Sequence, residues 1–302
     1  MALWHHQGML RSLSLALILS FAALPGLADE ARLFGYVGIE CGIDDRRTTD
    51  VVEDGFTAEV TAFSNLNMVC VSADPNVTAA RIRRVAAAGD TVLLNVQPAR
   101  FDFHPLGVTP SPARDQLWPL MVQAIDLSAV PVEDIILYMV DEPALRKLPL
   151  TAVEDAIAYV RQTYPTIRTM AIDYRDATYD VIPKGLTYWG FFDYFYSDPG
   201  AVPAYVAALD RASAMMGPDQ GLVLVMDAHI MWMHQERGIV ADDMANIARA
   251  YGALALRRKD VAVVMAYTWA GGIDYEGEQG IRDMGPAVLQ AHREVGLALI
   301  GK

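Results

Sequence analysis

Residues Ile135–Leu145 read IILYMVDEPAL. A run of apolar and aromatic side chains, suited to a strand buried on both faces, stops on two adjacent carboxylates and a proline. Two acids at the end of a buried strand cost free energy unless water, a partner or a ligand uses them. Similar runs recur on either side: LFGYVGIE from Leu33, LNMVCVS from Leu66, TVLLNVQ from Thr91, RTMAIDY from Arg168, FFDYFYSD from Phe191, GLVLVMDAH from Gly221 and VAVVMAYTW from Val261. Together they make eight, spaced roughly 25 to 45 residues apart, which suits one strand plus one crossover helix. Continuous rather than alternating apolar runs are what a parallel sheet covered on both faces requires.

The intervening segments predict helices. Asp50 with Glu53, and Thr151 with Glu154, form capping-box patterns, and Asn76 is placed to cap VTAARIRRVAAAG, which ends on Gly89. Further helices are expected from near Pro203, Asp242 and Met284. Eight such units predict a single-domain α/β chain, a (β/α)8 TIM barrel over residues 29–302. The rival is a doubly wound open sheet, but that fold usually carries a Gly-rich turn after its first strand, and GIECGIDD matches it poorly. No Pro/Gly/Ser-rich linker divides the chain.

Residues 1–28 stand outside this pattern. Arg11 precedes SLSLALILSFAALPGLA, and Asp29-Glu30 follows. A secretory signal cleaved after Ala28 is expected, with an uncleaved membrane anchor as the alternative. Cleavage removes one arginine, taking the formal charge from −13 to −14. So acidic a chain argues against nucleic acid or anionic membrane as partner, and the mature protein is expected to be secreted or periplasmic without stable membrane association. Cys41 and Cys70 lie near the ends of the first two strands, neighbours in a barrel; a disulfide and two free buried thiols both fit.

In such a barrel the loops at the carboxyl ends of the strands share one mouth. Those ends read Glu40, Asp74, Gln97, Asp141 with Glu142, Asp173 with Tyr174, Asp198, Asp227 with His229, and Tyr267 with Trp269. The amino ends carry no matching set. A mouth ringed by acids and aromatics suits carbohydrate, whose hydroxyls need fixed acceptors and whose C–H faces pack on Trp and Tyr rings. Glycosidic cleavage needs two carboxyl groups, one to protonate the leaving oxygen and one to stabilise or attack the anomeric carbon.

VDEP at the end of strand four and YTW closing strand eight resemble the barrel clan of glycoside hydrolases. In that clan a Glu, usually preceded by Asn, ends strand four as the acid/base, and a Trp ends strand eight. The resemblance implies Glu142 as acid/base and Trp269 as the platform under the sugar. Two departures stand out: Asp141 replaces the Asn, and strand seven ends in Asp227 where the clan has a nucleophilic Glu. The Asp-Glu doublet is also similar to hexosaminidases that use the substrate's own N-acetyl group, where the Asp orients the acetamido group and the Glu is the acid. That resemblance implies that Asp141 and Glu142 suffice.

Each candidate also has a structural use. Asp141-Glu142-Pro143 fits a helix start, Asp227 a strand-end acid bonded to loop amides, and Asp173 and Asp198 loop caps. Trp269 could plug the barrel, and Tyr194 and Tyr196 could pack. The spacing of His229 and His234 does not put both imidazoles on one helical face, so no metal site is expected. Without a nucleotide loop or nucleophile elbow, no cofactor is implied. The expectation is an exported glycoside hydrolase in which Glu142 is the acid/base and Asp141 or Asp227 the second carboxylate. Trp269 and Tyr267 would cradle the sugar, with Glu40, Gln97, Asp173, Tyr174, Asp198 and His229 as further contacts. The alternatives are a barrel that binds carbohydrate without cutting it, and a metal-dependent hydrolase.

Overall fold

The computed structural model describes residues 32–41, 44–45, 50–51, 55–104, 107–272 and 277–302. The expected signal segment and the Asp50–Glu53 capping box lie outside the described residues, in the latter case because Glu53 does. Eight parallel strands close into a barrel: β1 (Leu33–Glu40), β2 (Leu66–Cys70), β3 (Thr91–Asn95), β4 (Ile135–Asp141), β5 (Arg168–Tyr174), β6 (Tyr188–Phe192), β7 (Gly221–Asp227) and β8 (Val261–Tyr267). Each pairs with its neighbours in sequence, and β8 closes on β1 with Leu33 opposite Val263 and Tyr36 opposite Ala266. The (β/α)8 expectation holds and the open sheet is excluded.

Side-chain alternation sorts each strand into two cores. One set points into the barrel: Leu66 and Met68, Leu93, Ile136 and Tyr138, Met170 and Ile172, Tyr188, Val223 and Val225, Val263 and Met265. The other packs outward against helices that include α1 (Pro75–Ala87), α2 (Arg114–Ser128), α3 (Leu150–Thr163), α4 (Pro203–Met215), α5 (Met244–Arg257) and α6 (Pro286–Ile300). Prolines open α1, α4 and α6, where the missing N–H would have had no partner anyway.

Several local expectations are corrected. Asp74, not Asn76, caps α1: its carboxylate accepts the Asn76 amide at 2.8 Å. No side chain caps α3, which follows Pro149, so Thr151 and Glu154 form no capping box. Strand six starts at Tyr188 rather than Phe191 and ends at Phe192. No helix separates β5 from β6; residues 175–187 run as an irregular crossing that contains Pro183 and Gly185.

The β4–β5 register shifts between Tyr138 and Val140, as a bulge does when it inserts one residue. Met139 and Val140 both join the outer core, and the next inward position falls to Asp141.

Candidate functional site

The carboxyl ends of the strands enclose a cavity of about 930 Å³, within the size range of small-molecule sites. Its floor is the top of the inner core, with Met68, Tyr138, Ile172, Val225 and Met265. One wall is aromatic. Phe192 stacks on Tyr194 with centroids 4.8 Å apart, Tyr194 stacks on Tyr267 at 6.2 Å, and the His229 ring stands edge-on to both tyrosines. Gln97, Asn95, Tyr174 and the Cys41–Cys70 disulfide complete much of the rest. The disulfide resolves the choice left open between bridged and free cysteines.

Asp141 and Glu142 are the acids that line this cavity among the described residues. The Tyr138 hydroxyl donates to Asp141 Oδ1 at 2.6 Å, and the Asp141 amide donates to Gln97 Oε1 at 3.1 Å. Burial and the Asp141 charge push the Tyr138 phenol well up, so it remains a donor. Glu142 takes a left-handed backbone conformation, φ 50°, which costs a non-glycine residue roughly 1–2 kcal/mol. Its amide donates to the Ile172 carbonyl at 2.7 Å and its carbonyl accepts from the Arg146 amide at 2.9 Å. The turn beyond Glu142 is no helix, which removes the helix-start explanation of the doublet; α3 begins only at Leu150. Arg146 Nη2 lies 2.6 Å from Glu142 Oε2, and its guanidinium also covers the Phe103 ring at 5.2 Å. Phe103 belongs to a hairpin, Phe101–His104 with Gly107–Pro110, that comes after β3 and bonds the Arg146 carbonyl through Val108.

Other expected contacts are turned elsewhere. Glu40 is fully buried behind the wall, accepting from Thr57 Oγ1 at 2.6 Å and from Arg84 Nη2 at 2.7 Å. Gly55, at φ 66°, leaves it room: a Cβ there would sit 2.3 Å from the Glu40 carboxyl carbon. Asp74 and Asp198 are exposed helix caps; Asp198 Oδ1 accepts from the Gly200 amide at 2.9 Å. Asp173 points out of the barrel, where its Oδ1 accepts the Ala144 amide at 2.9 Å and so braces the turn that carries Glu142. Burial pushes the Asp173 carboxyl up to about 7; the Ala144 amide opposes the rise, and the charges of Asp141 and Glu142 add to it. Trp269 is 3% exposed, donates to Glu59 Oε2 at 2.9 Å and packs on Tyr36 and Phe63, so it is core and not a sugar platform.

Asp227 requires the largest correction. Its side chain is fully buried and absent from the cavity lining. It accepts the Phe195 amide at 3.0 Å and His234 Nε2 at 3.1 Å, and His229 Nδ1 lies 3.2 Å away. Burial raises the Asp227 carboxyl, but the two imidazoles outweigh it and hold the group well below the usual carboxylate range. An acid so enclosed cannot reach an anomeric carbon. His229 and His234 share no helical face, as their spacing implied, yet they are brought together from different elements. His229 sits on a two-residue strand paired with Gln279–Gly280, His234 on the short helix Trp232–Glu236, and both imidazoles converge on Asp227.

Tyr194, Asn95, Arg146 and Tyr138 line the site although the strand-end pattern does not point to them. Arg146, four residues after Glu142, is the most accessible of these from the sequence alone.

No family model matches the sequence, and no curated protein matches it. Solved structures do. The barrel is similar to a β-glucuronidase from an uncultured Clostridium species (TM-score 0.62, 11% identity), covering 88% of this chain and 50% of that one. It is also similar to a Rhizomucor miehei β-1,3-glucanosyltransferase mutant in complex with laminaritriose (TM-score 0.55, 12% identity, 85% and 96% covered). Xylanase 10B from Thermotoga maritima gives a TM-score of 0.53 at 13% identity, with 91% and 98% covered. This chain thus spans half the length of the glucuronidase and nearly all of the xylanase. At these identities the likeness establishes the fold, a (β/α)8 barrel of the kind found in glycosidases and transglycosidases.

Proposed function

We propose that this protein is an exported glycoside hydrolase in which Glu142 is the general acid/base and Asp141 the second working carboxylate. The observation that carries this is the placing of the doublet: a bulge turns Asp141 into the cavity, a left-handed residue comes next, and no other described acid lines the cavity. With Asp227 enclosed, the strand-seven nucleophile of the barrel clan has no counterpart among the described residues. That favours a substrate carrying its own nucleophile, a 2-acetamido sugar. Glu142 gives its proton to the glycosidic oxygen as the C1–O bond breaks, and the acetamido oxygen bonds to C1 while Asp141 accepts the amide N–H. Water then opens the cyclic intermediate, giving its proton to the Glu142 carboxylate. The aromatic wall of Phe192, Tyr194 and Tyr267 offers the apolar surface that sugar C–H faces need. The disulfide supports export to an oxidising compartment.

Glu142→Gln tests the assignment on unactivated oligosaccharides with and without 2-acetamido groups. Hydrolysis should fall by at least about 100-fold with binding retained, and 2-acetamido substrates should be the ones cleaved. Unchanged turnover refutes the role of Glu142. The Arg146 guanidinium, 2.6 Å from Glu142 Oε2, favours a second reading, a carbohydrate-binding barrel, because it engages the oxygen that would meet the glycosidic bond. Binding by wild type without product release would select that reading.

A further inference from the structure

Three fully buried ionisable side chains at and just after the end of β7 have no part in the proposed hydrolysis: Asp227, His229 and His234. Their hydrogens are fixed by their neighbours. The Met231 amide donates to His234 Nδ1 at 3.2 Å, so that nitrogen holds the lone pair and Nε2 holds the hydrogen. This Nε2–H faces both oxygens of Asp227 at 3.1 Å. The Phe195 amide occupies Oδ2 as well, and Oδ1 lies 3.2 Å from His229 Nδ1, a charge contact without hydrogen-bond geometry. A carboxylate at that distance favours the hydrogen of a neutral His229 on Nδ1, which leaves the lone pair on Nε2. Among the described residues nothing donates to that nitrogen. The ring forms part of the cavity wall, 5.0 Å from the Tyr194 ring and 5.1 Å from that of Tyr267. A buried acceptor left without a donor is destabilising, and a suitable ligand group would relieve it.

The same three residues invite comparison with a metal centre, their donor atoms lying within 4.8 Å of one another. The Met231 amide opposes it, because it holds the His234 lone pair on Nδ1 and the nitrogen that faces Asp227 then carries a hydrogen where a metal needs a lone pair.

We propose that His229 Nε2 is a ligand-contacting acceptor that takes a hydrogen bond from a hydroxyl of the carbohydrate in the cavity, with Asp227 and His234 fixing the ring. The inference rests on the proposed carbohydrate function. It assigns the strand-seven side of the cavity to recognition, across from the acid doublet that would do the chemistry.

The test uses the full-length Glu142→Gln protein, which separates binding from turnover, and a panel of trisaccharides of N-acetylglucosamine, mannose, xylose and β-1,3-linked glucose. His229→Phe added to that background keeps a planar ring and removes both nitrogens; affinity for whichever trisaccharide binds should fall about five- to tenfold, with partial recovery in His229→Gln. Imidazole ¹⁵N shifts of the parent protein give a readout independent of how the variants fold: His229 Nε2 should be unprotonated when free and shift on saturation. Equal affinity in folded His229→Phe, or an Nε2 that is protonated or unmoved, overturns the inference and leaves the carbohydrate function standing. Binding of no panel member overturns both. Stoichiometric uptake of Zn²⁺ that His234→Gln abolishes overturns it in favour of a metal centre.

Discussion

Truncating Asp227 and Asp141 to alanine separates two uses of a carboxylate at the end of a barrel strand. Asp227→Ala leaves the Phe195 amide and His234 Nε2–H without their acceptor and removes the carboxylate 3.2 Å from His229 Nδ1. Both imidazoles are fully buried, and stranded donors cost about 1–3 kcal/mol each, about 3–5 kcal/mol together. In a chain of this size that corresponds to a fall in melting temperature of roughly 6–20 °C. Asp141→Ala removes the acceptor of the Tyr138 hydroxyl, which borders an open cavity where water can substitute. Its cost should be about 1 kcal/mol, or roughly 2–4 °C. The assay is thermal and urea unfolding of both variants beside wild type, with equal m-values required before the free energies are compared. Asp227→Asn should fall between, since it keeps one acceptor but turns an NH2 toward a donor. A fully folded Asp227→Ala within about 1 kcal/mol of wild type, or equal losses in the two alanine variants, would refute the enclosure of Asp227 by these contacts.

Three further outcomes are expected. Arg146→Met removes the cation 2.6 Å from Glu142 Oε2, so kcat/KM should change with little loss of stability; an unchanged kcat/KM would show that the ion pair does not position the acid. His292, fully buried with its Nδ1 on the Tyr36 hydroxyl at 3.1 Å, is held by burial down to about 3. Because the unfolded chain then binds more protons, its contribution to stability is complete above pH ~6.5 and is lost as pH falls toward 3; His292→Phe should flatten that limb in pH-dependent urea titrations. Opening the Cys41–Cys70 bridge, which joins residues 29 apart, should cost about 2–4 kcal/mol by the chain-entropy argument, and should also weaken ligand binding because both cysteines line the cavity. Cys41→Ser/Cys70→Ser, measured by denaturation and trisaccharide titration, checks both.

Much of the barrel was legible because burial on both faces leaves a long, continuous apolar signature. Seven of the runs begin where their strands begin, from Leu33 to Val261. The exception is FFDYFYSD: it contains Asp193, yet the strand ends one residue before it, and the acid is drawn outward onto Arg175 and Tyr196. Meanwhile Tyr188 and Trp189, just upstream, open the strand although Pro183 and Gly185 stand close before them. The missing helix between β5 and β6 left no room for a full crossover, so the spacing misled in the same place.

The site was less legible, and the reason is parity. Along β5, Met170 and Ile172 face inward, so Tyr174 lines the cavity and Asp173 cannot; along β3, Leu93 leads in the same way to Asn95 and Gln97. Counting alternate residues from the inner core would have moved Asp173 out of the site and brought Asn95 and Tyr194 into it. The count alone fails at three other places, each for a different physical reason. At β4 the bulge adds a residue and sends Asp141 inward, which no periodicity discloses. At β8 the alternation reaches Tyr267, but the strand then ends and Trp269 turns back onto Tyr36. At β7 parity correctly points Asp227 inward, and two histidines and a loop amide close over it. The acid doublet is therefore usable for the opposite reason to the one its sequence first suggests. Its neighbours are not a ring of carboxylates sharing one mouth, because the other strand-end acids are spent on arginine, backbone amides and imidazole. What remains in the cavity is one acidic side and one aromatic side. Under the proposed function, that asymmetry suits a sugar held by its apolar face and approached by the doublet from a single edge.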